Sequence, residues 1–189
     1  MIKFYPLCSF FFRGYIASII SLLVASPTCT SAGRGTLAYF GGVPLTWTTY
    51  YYNYTATATV HTIMFGFTAD GSGKRMWFLD DVSIVDIVAP TVQLLQNPSF
   101  DNSTTALTGW TQYCTSTCPS GSANGGQVAT GINCTSTNCY MDRCYGGGAF
   151  DLLSQTFPTI IGHNYSISFD ILDFGSGANG GTKAYVDMY

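Results

Sequence analysis

The side chains that could do acid–base chemistry are few, because the 189-residue chain has no glutamate and only ten aspartates. Glycoside hydrolysis generally needs two carboxyl groups flanking the scissile bond. Asp170 and Asp173 are close in sequence, but strand alternation turns Asp170 toward solvent. There is no Gly-x-Ser-x-Gly elbow for a serine nucleophile, and we expect His61 on a strand surface and His163 in a turn. We therefore predict that the protein is not an enzyme.

Aromatic side chains offer a different chemistry, the recognition of sugars. A sugar ring stacks its apolar face on tyrosine or tryptophan, while its hydroxyl groups need polar side chains close by. Tyr50, Tyr52 and Tyr54 share one face of a predicted strand, because side chains alternate with period two. That face is either core or an exposed stacking platform, and packing is favoured because large apolar groups are usually buried. The candidate ligand-binding residues are Tyr50, Tyr52, Tyr140, Arg143 and Tyr145.

Five cysteines lie in a Cys-rich loop at residues 114–144 that also contains many Ser, Thr, Asn and Gly residues. Such a loop has little core of its own, so we expect disulfides to hold it in an oxidising compartment. Zinc is disfavoured, because the tight two-residue spacings and nearby histidines of zinc sites are missing. Since the number is odd, one thiol stays free, pairs outside the chain, or pairs with Cys29 if that residue is retained. The predicted disulfide cysteines, with unknown pairing, are Cys114, Cys118, Cys134, Cys139 and Cys144.

Residues 1–32 have the pattern of a targeting segment. Lys3 and Arg13 precede an apolar run that is short for a membrane span, and Thr30-Ser-Ala32 offers a cleavage site for a signal peptide. Including the apolar residues 4–12, the segment could instead be an uncleaved signal anchor. We therefore expect a secreted, extracellular protein, with a membrane-anchored ectodomain as the alternative. Four N-glycosylation sequons fit the secretory route, at Asn53, Asn102, Asn133 and Asn164.

Composition predicts an all-β fold. Only 9% of the residues are charged, and Thr, Tyr, Phe, Val and Ile, which suit pleated surfaces, are plentiful. The net charge of −3 with scattered basic residues gives no electrostatic footprint for nucleic acid. From Gly33 onward, short predicted strands alternate with turns, as in a β-sandwich or jelly roll.

The strand pattern also suggests a division of the chain. Ala89-Pro90 separates residues 33–88 from residues 91–189. The strand predicted at residues 76–87 places Phe78, Asp80, Val82 and Ile84 on one face, and the next strand is predicted at residues 94–100.

Five short motifs resemble those of the galactose-binding-like β-sandwich (jelly-roll) superfamily, in particular its secreted carbohydrate-binding modules. Such modules open with an Asn-x-x-Phe-Glu/Asp strand and a Gly-Trp turn, and close with an Asp-Asp-Val-Ser strand. Together the motifs cover roughly residues 33–189. They are Asn97-Pro-Ser-Phe-Asp101, Gly109-Trp110, Leu153-Ser-Gln-Thr-Phe157, Tyr165-Ser-Ile-Ser-Phe169 and Trp77-Phe-Leu-Asp-Asp-Val-Ser83.

The closing motif precedes the opening motif, which implies a module with its halves in swapped order. By the resemblance, residues 33–88 are the C-terminal half of a module and residues 91–189 are the N-terminal half. The chain is then either a circular permutant that closes into one module or a fragment of a tandem array.

The resemblance further implies a structural calcium ion. Related modules bind it through the carboxylate after the opening Phe and one of the closing Asp pair, which here are Asp101 and Asp80, with Asp81 as an alternate. An inward carboxylate at Asp80 is unfavourable unless it is paired or bound to a cation, and Ca²⁺ prefers such oxygen ligands. The alternative is that both are surface residues, with Asp80 hydrogen-bonded at a strand end.

The expected function is that of a secreted, non-catalytic carbohydrate- or glycan-binding module. Its partners are expected to be a glycan or an extracellular protein, and a membrane only if residues 1–32 are an uncleaved anchor. The alternative is a structural or adhesive extracellular repeat that does not bind sugar.

Overall fold

The computed structural model describes residues 26–69, 74–119, 125–131, 133–146, 148–176 and 181–189. These residues form two antiparallel β-sheets packed as a sandwich, which confirms the predicted all-β sandwich class. In the described ranges Thr115–Thr117 form a short 3-10 helix, and there is no α-helix. Within them, no helix has the length and apolar character needed to cross a membrane.

The first sheet has five strands, and we call it the five-stranded sheet. Its members are β1 (Ala38–Gly41), β3 (Val60–Thr68), β6 (Thr111–Tyr113), β9 (Asp151–Pro158) and β11 (Lys183–Met188). Across the sheet they lie in the order β1-β11-β3-β9-β6.

The second sheet, called the six-stranded sheet, packs against it. Its members are β2 (Thr48–Thr55), β4 (Arg75–Asp86), β5 (Ala89–Gln93), β7 (Gln127–Thr130), β8 (Asn138–Asp142) and β10 (Asn164–Gly175). The order is β2-β10-β4-β8-β7, and β5 pairs with β4 at Val85 and Asp86, further along that strand than β8.

The core lies between the sheets and is centred on Phe169 of β10. Strand alternation turns Phe169 inward with Tyr165, Ile167 and Ile171, and all four are buried. The Phe169 ring stacks on Tyr52 at a centroid distance of 5.9 Å and meets Phe65 of β3 edge-on at 5.3 Å. The core therefore joins aromatic residues of both sheets.

A β-bulge at Asp81 changes the predicted face of β4. The pairing of β4 with β10 shifts between Ser168 and Asp170, and Asp81 has a φ of 47°. A bulge puts two residues opposite one, so the residues on either side of it swap faces. The prediction that Phe78, Asp80, Val82 and Ile84 face together is therefore wrong. Instead Trp77, Leu79, Val82 and Ile84 are in the main core, while Phe78 packs in a separate cluster with Cys139 and Leu172.

The strand predicted at residues 94–100 is also wrong. The strand lies earlier, at β5, and residues 97–100 form a turn in which Asn97 and Phe100 have φ values of 48° and 59°. Asn97 organises this turn: its side chain donates to the Thr108 carbonyl, and its own carbonyl accepts from the Trp110 indole. The Asn and Trp of the motifs thus stabilise one turn.

The position predicted to separate two halves, Ala89-Pro90, is the start of β5. Proline is tolerated there because β5 is a short edge strand. Strands from residues 38–86 and from residues 89–188 are neighbours throughout both sheets, so the described residues form one sandwich. The assignment of these ranges as swapped halves of a module stays a prediction.

Three disulfides connect the six cysteines that the structure describes. They are Cys29–Cys114, Cys118–Cys144 and Cys134–Cys139. All five predicted cysteines are therefore bonded, and the odd one pairs with Cys29, which was one of the three alternatives.

Candidate functional site

A groove crosses the outer face of the five-stranded sheet. Its floor consists of side chains that strand alternation turns away from the core, among them Thr62 of β3, Tyr113 of β6 and Ser154 and Thr156 of β9. The groove has a cavity of about 460 Å³, and residues 27–34 form its other wall. We call it the outer-face groove and define it by Arg34, Thr62, Tyr113, Ser154, Thr156 and Tyr189.

Arg34 fixes the wall of the groove to the sheet. Its guanidinium donates to the Tyr189 hydroxyl and to the Thr28 carbonyl at 3.0 Å, and lies 3.8 Å from Asp187 Oδ2. Thr36 donates to the same carboxylate through both its backbone N–H and its hydroxyl, at 2.8 and 2.9 Å. Since the Arg34 side chain is almost fully buried, its role is to position residues 28–36.

A second cavity, of about 240 Å³, continues the groove toward the sheet edge. It shares Tyr113, Ser154 and Thr156 with the first and adds Gln96 and Thr111. Apart from Arg34, the polar side chains that line the two cavities carry hydroxyls and amides. Ser154 is only 4% exposed, and the Thr62 and Thr156 hydroxyls are 2.8 Å apart. Such a lining donates and accepts hydrogen bonds, and it includes the rings of Tyr113 and Tyr189.

The tyrosines of the six-stranded sheet lie elsewhere. Tyr50 and Tyr52 are half-buried and pack against the core, in agreement with the favoured packing alternative. Burial raises the pKa of the Tyr52 phenol, and Tyr50 beside it adds to the effect. Tyr51, on the opposite face of β2, is 73% exposed.

The residues predicted from the Cys-rich loop are not brought to one open surface. Tyr140 is fully buried, between Phe67 at 5.4 Å and Phe100 at 6.0 Å, so it offers no free face to a ligand. Arg143 and Tyr145 are half-buried on either side of Cys144, whose disulfide to Cys118 anchors that segment.

The two predicted calcium carboxylates meet the same small loop, closed by the Cys134–Cys139 disulfide. Asp80 accepts hydrogen bonds from the backbone N–H and the hydroxyl of Thr135, and from the Asp81 N–H. Asp101 accepts from the Asn138 N–H at 2.9 Å and lies 3.5 Å from the Ser136 hydroxyl. Asp81, the alternate ligand, is exposed and lies 3.3 Å from the Thr135 hydroxyl.

The electrostatics of this loop fit a hard cation. Desolvation raises the pKa of Asp80 to about 6, against hydrogen bonds from Thr135 and Asp81 that lower it. The side-chain oxygen of Asn138, a residue only 2% exposed, has no hydrogen-bond partner. Among the described residues no group of three or more His, Cys, Asp or Glu side chains converges, so further ligands would have to be neutral oxygens. Ca²⁺ accepts such ligands.

A pair of buried acids was missed by the sequence analysis. Asp142 of β8 and Asp151 of β9 are fully buried and share a hydrogen bond that links the two sheets. Asp151 also accepts from Gln112 and from the Gly126 N–H, at 2.8 and 2.7 Å. Residue 126 must be glycine in this arrangement, because a Cβ there would collide with the Tyr140 hydroxyl.

Burial is the main reason why the pKa of Asp142 is well above its usual value, and the neighbouring Asp151 raises it further. The pKa of Asp151 is also raised by burial, while its hydrogen bond from Asp142 opposes that shift. Both pKa values are therefore raised by burial, and the pair retains a proton above the ordinary pKa of a carboxyl group. Neither side chain lines the outer-face groove, and their hydrogen bond joins β8 to β9, so the role of the pair is to hold the sheets together.

The residues weighed for catalysis have structural partners. Asp173 is buried, 3.0 Å from the Arg75 guanidinium, and accepts from the Thr182 hydroxyl at 2.6 Å. His163 lies in the turn before β10 and is 2.6 Å from Asp86, whose pKa this contact lowers. The prediction that His61 is a surface residue is wrong: it is buried, its Nε2 accepts from the Thr57 and Ala58 N–H groups, and Nδ1 contacts the Tyr189 carbonyl.

The four sequon asparagines lie at or near the surface. Asn53, Asn102 and Asn164 are exposed and Asn133 is half-buried. The Asn164 side chain accepts a hydrogen bond from Thr55 at 2.6 Å.

A comparison of the chain with known families, with curated proteins and with solved structures found no match. The fold and the site geometry are therefore the whole basis for a functional argument.

Proposed function

We propose that the protein is a secreted, non-catalytic glycan-binding module whose ligand lies in the outer-face groove. The observation that supports this most directly is the composition of the groove. It combines the Tyr113 side chain with the hydroxyls of Thr62, Ser154 and Thr156, and its two cavities adjoin.

The chemistry of this lining matches an uncharged polyhydroxylated ligand. Sugar hydroxyls both donate and accept hydrogen bonds, as the groove hydroxyls do, and the apolar face of a sugar ring suits tyrosine. The site also lies on rigid strands, which reduces the entropy lost on binding. We place the proposed site in this groove and not at Tyr50, Tyr52 and Tyr140, because those rings are packed in or against the core.

The extracellular location is supported by the three disulfides, since such bonds persist in oxidising compartments. Secretion itself is part of the proposal.

The proposal includes a structural calcium ion at the Cys134–Cys139 loop. Asp80, Asp101 and the unpartnered Asn138 oxygen would hold it. When bound, the ion would supply positive charge to a desolvated carboxylate. The fold brings β4 and the turn after Phe100 to the same loop. An ion bound there would therefore stabilise the fold and would not contact the sugar.

A glycan array followed by titration of the best hit tests the binding proposal. We expect Tyr113→Ala, which removes the ring, and Thr156→Lys, which fills the groove, each to weaken binding by about tenfold or more, equivalent to about 1.4 kcal/mol. Matched controls are Tyr51→Ala and Thr49→Lys on the outer face of β2, which should bind as the parent does.

Equal losses in the β2 controls would contradict the groove as the site. If no glycan binds the parent while the chain self-associates, the alternative of a structural or adhesive module is supported instead.

A further inference from the structure

The chain divides into two segments that differ in how their strands pair. The first segment is residues 29–86 and contains β1–β4, and the second is residues 89–189 and contains β5–β11. Within the described ranges, none of β1–β4 pairs with another of these four. Instead β1 pairs with β11, β2 with β10, β3 with β9 and β11, and β4 with β5, β8 and β10.

Side-chain packing also joins the first segment to the second. Phe169 of the second segment is contacted by four rings of the first segment, within centroid distances of 6.2 Å. Phe67 packs on Tyr140 and Phe65 on Trp110, again from the first segment to the second. All ladder bonding of the first segment is therefore satisfied by the second, as with a strand-donating partner.

The covalent connections between the segments are few. The chain passes from β4 to β5 through Ile87 and Val88, which are 50% and 77% exposed. Only Cys29–Cys114 of the three disulfides links the two segments, since Cys118–Cys144 and Cys134–Cys139 lie within the second. If the turn opens, β4 and β5 can continue as one extended strand.

We propose that two copies of this chain exchange their first segments, giving a dimer of two sandwiches in which each sandwich has one segment from each copy. Apart from the β4–β5 turn, every contact of the closed sandwich is kept, so the exchange is energetically inexpensive, as in other exchanged dimers. The two-residue β4–β5 turn is the short hinge at which the exchange would open. The partner is a second copy because only the same sequence offers the same ladder partners.

The dimer keeps both outer-face grooves. Each groove takes Arg34 and Thr62 from a first segment and Tyr113, Ser154 and Thr156 from a second segment. Every groove would then contain residues of both copies, and the dimer would present two ligand sites on one particle. The exchange does not depend on what the groove binds.

The exchange leaves a covalent mark, because Cys29 of one copy bonds to Cys114 of the other. In a glutathione buffer each bridge forms as two cysteine thiols are oxidised and one glutathione disulfide is reduced to two glutathione molecules. The same three bridges form per chain as in the monomer, so no additional oxidant is needed. Cys118–Cys144 stays within one chain and provides an internal control.

Refolding of the full chain as an equal mixture of ¹⁴N- and ¹⁵N-labelled protein tests the exchange. The reduced, denatured mixture is refolded over a range of about 10 to 200 µM, the regime in which association competes with closure. Monomer and dimer are separated by size exclusion, and disulfide-linked peptides are identified by mass spectrometry. In the dimer we expect about half of the Cys29–Cys114 peptides to combine the two labels, as random pairing gives, while the Cys118–Cys144 peptides remain unmixed.

Two hinge variants keep the test decisive. Deletion of Ile87 and Val88 removes the turn and should raise the dimer fraction at every concentration. Ile87→Asn with Val88→Gly supplies a favourable two-residue hairpin turn and should lower it. A dimer with unmixed Cys29–Cys114 peptides would overturn the proposal, as would a monomer at every concentration for both the parent and the deletion variant.

Discussion

Cys29 is bonded to Cys114, 85 residues further along the chain, and this bond ties residues 26–36 to the outer face of the five-stranded sheet. The bond changes the expectation for the leader. A cut after the predicted Thr30-Ser-Ala32 site would remove Cys29 and leave Cys114 without its partner. We therefore expect any cleavage to fall before Cys29, and N-terminal sequencing of the secreted protein to find Cys29 retained.

The same bond should be the most stabilising of the three. In the chain-entropy model, closing a loop of this length contributes roughly 4–5 kcal/mol, against roughly 2 kcal/mol for the short Cys134–Cys139 loop. We expect the double variant Cys29→Ser/Cys114→Ser to lose more unfolding free energy in urea than Cys134→Ser/Cys139→Ser. Each double variant removes both partners of its bond, so neither leaves an unpaired partner and their comparison isolates loop length. The reverse order would indicate that Cys29 does not hold residues 26–36 on the sheet.

The Asp142–Asp151 pair should make the protein less stable as the pH rises. Both carboxyls have folded-state pKa values above the ordinary 3.8, so above that pH the folded state retains a proton that the unfolded chain releases. The unfolding free energy contributed by the pair must then fall with increasing pH. Asp142→Asn keeps a donor toward Asp151 and removes the titration. We expect it to raise the Tm at pH 8 by about 2–4 °C, roughly 1 kcal/mol, and to change it little at pH 4.

The control is Asp170→Asn, which removes one charge from a half-exposed position on β10. If Asp142→Asn destabilises the protein at pH 8 more than this control does, the two acids do not share a proton in the fold.

The bulge at Asp81 can be tested by substituting residues that differ in how readily they adopt a positive φ. At a φ of 47°, a β-branched residue is strained by about 1–2 kcal/mol, whereas glycine adopts this conformation readily. We expect Asp81→Val to lower the Tm by about 3–8 °C and Asp81→Gly to stay within about 2 °C of the parent. Equal effects of the two changes would place residue 81 in a regular strand.

The sequence predicts strand faces well where alternation is unbroken. Ile63, Phe65 and Phe67 alternate along β3, and all three are in the core, as period-two alternation dictates. In β4 the prediction fails because one inserted residue inverts the alternation, and the Asp80-Asp81 pair does not reveal a bulge. Pro90 suggested a break because proline lacks an N–H donor, yet an edge strand does not need that donor.

The sites depend on tertiary structure that the sequence does not display. The groove residues Thr62, Ser154 and Thr156 have the pattern of an ordinary solvent face, and only the course of residues 27–34 over them makes a groove. Asp142 and Asp151 lie in or near a loop of small polar residues, where exposure is the natural expectation. Their burial follows from the packing of the two sheets, because β8 and β9 belong to different sheets and each lies one strand in from the edge of its own.

Calcium should stabilise the protein through Asp80. Without a cation the folded-state pKa of about 6 exceeds the ordinary 3.8, so stability falls as the pH rises from about 4 to 6 and then levels off. At pH 7 the carboxylate is ionised in a desolvated position, and a bound Ca²⁺ would favour that form. At a Ca²⁺ concentration of 100 times the dissociation constant, the unfolding free energy rises by about 2.7 kcal/mol, which is a Tm increase of several degrees.

Differential scanning fluorimetry with Ca²⁺ and then EGTA measures this increase in Tm. Asp80→Asn should abolish the increase and Asp170→Asn should keep it, whereas an unchanged parent Tm in millimolar Ca²⁺ would show that the hydrogen bonds from Thr135 and Asp81 alone satisfy Asp80.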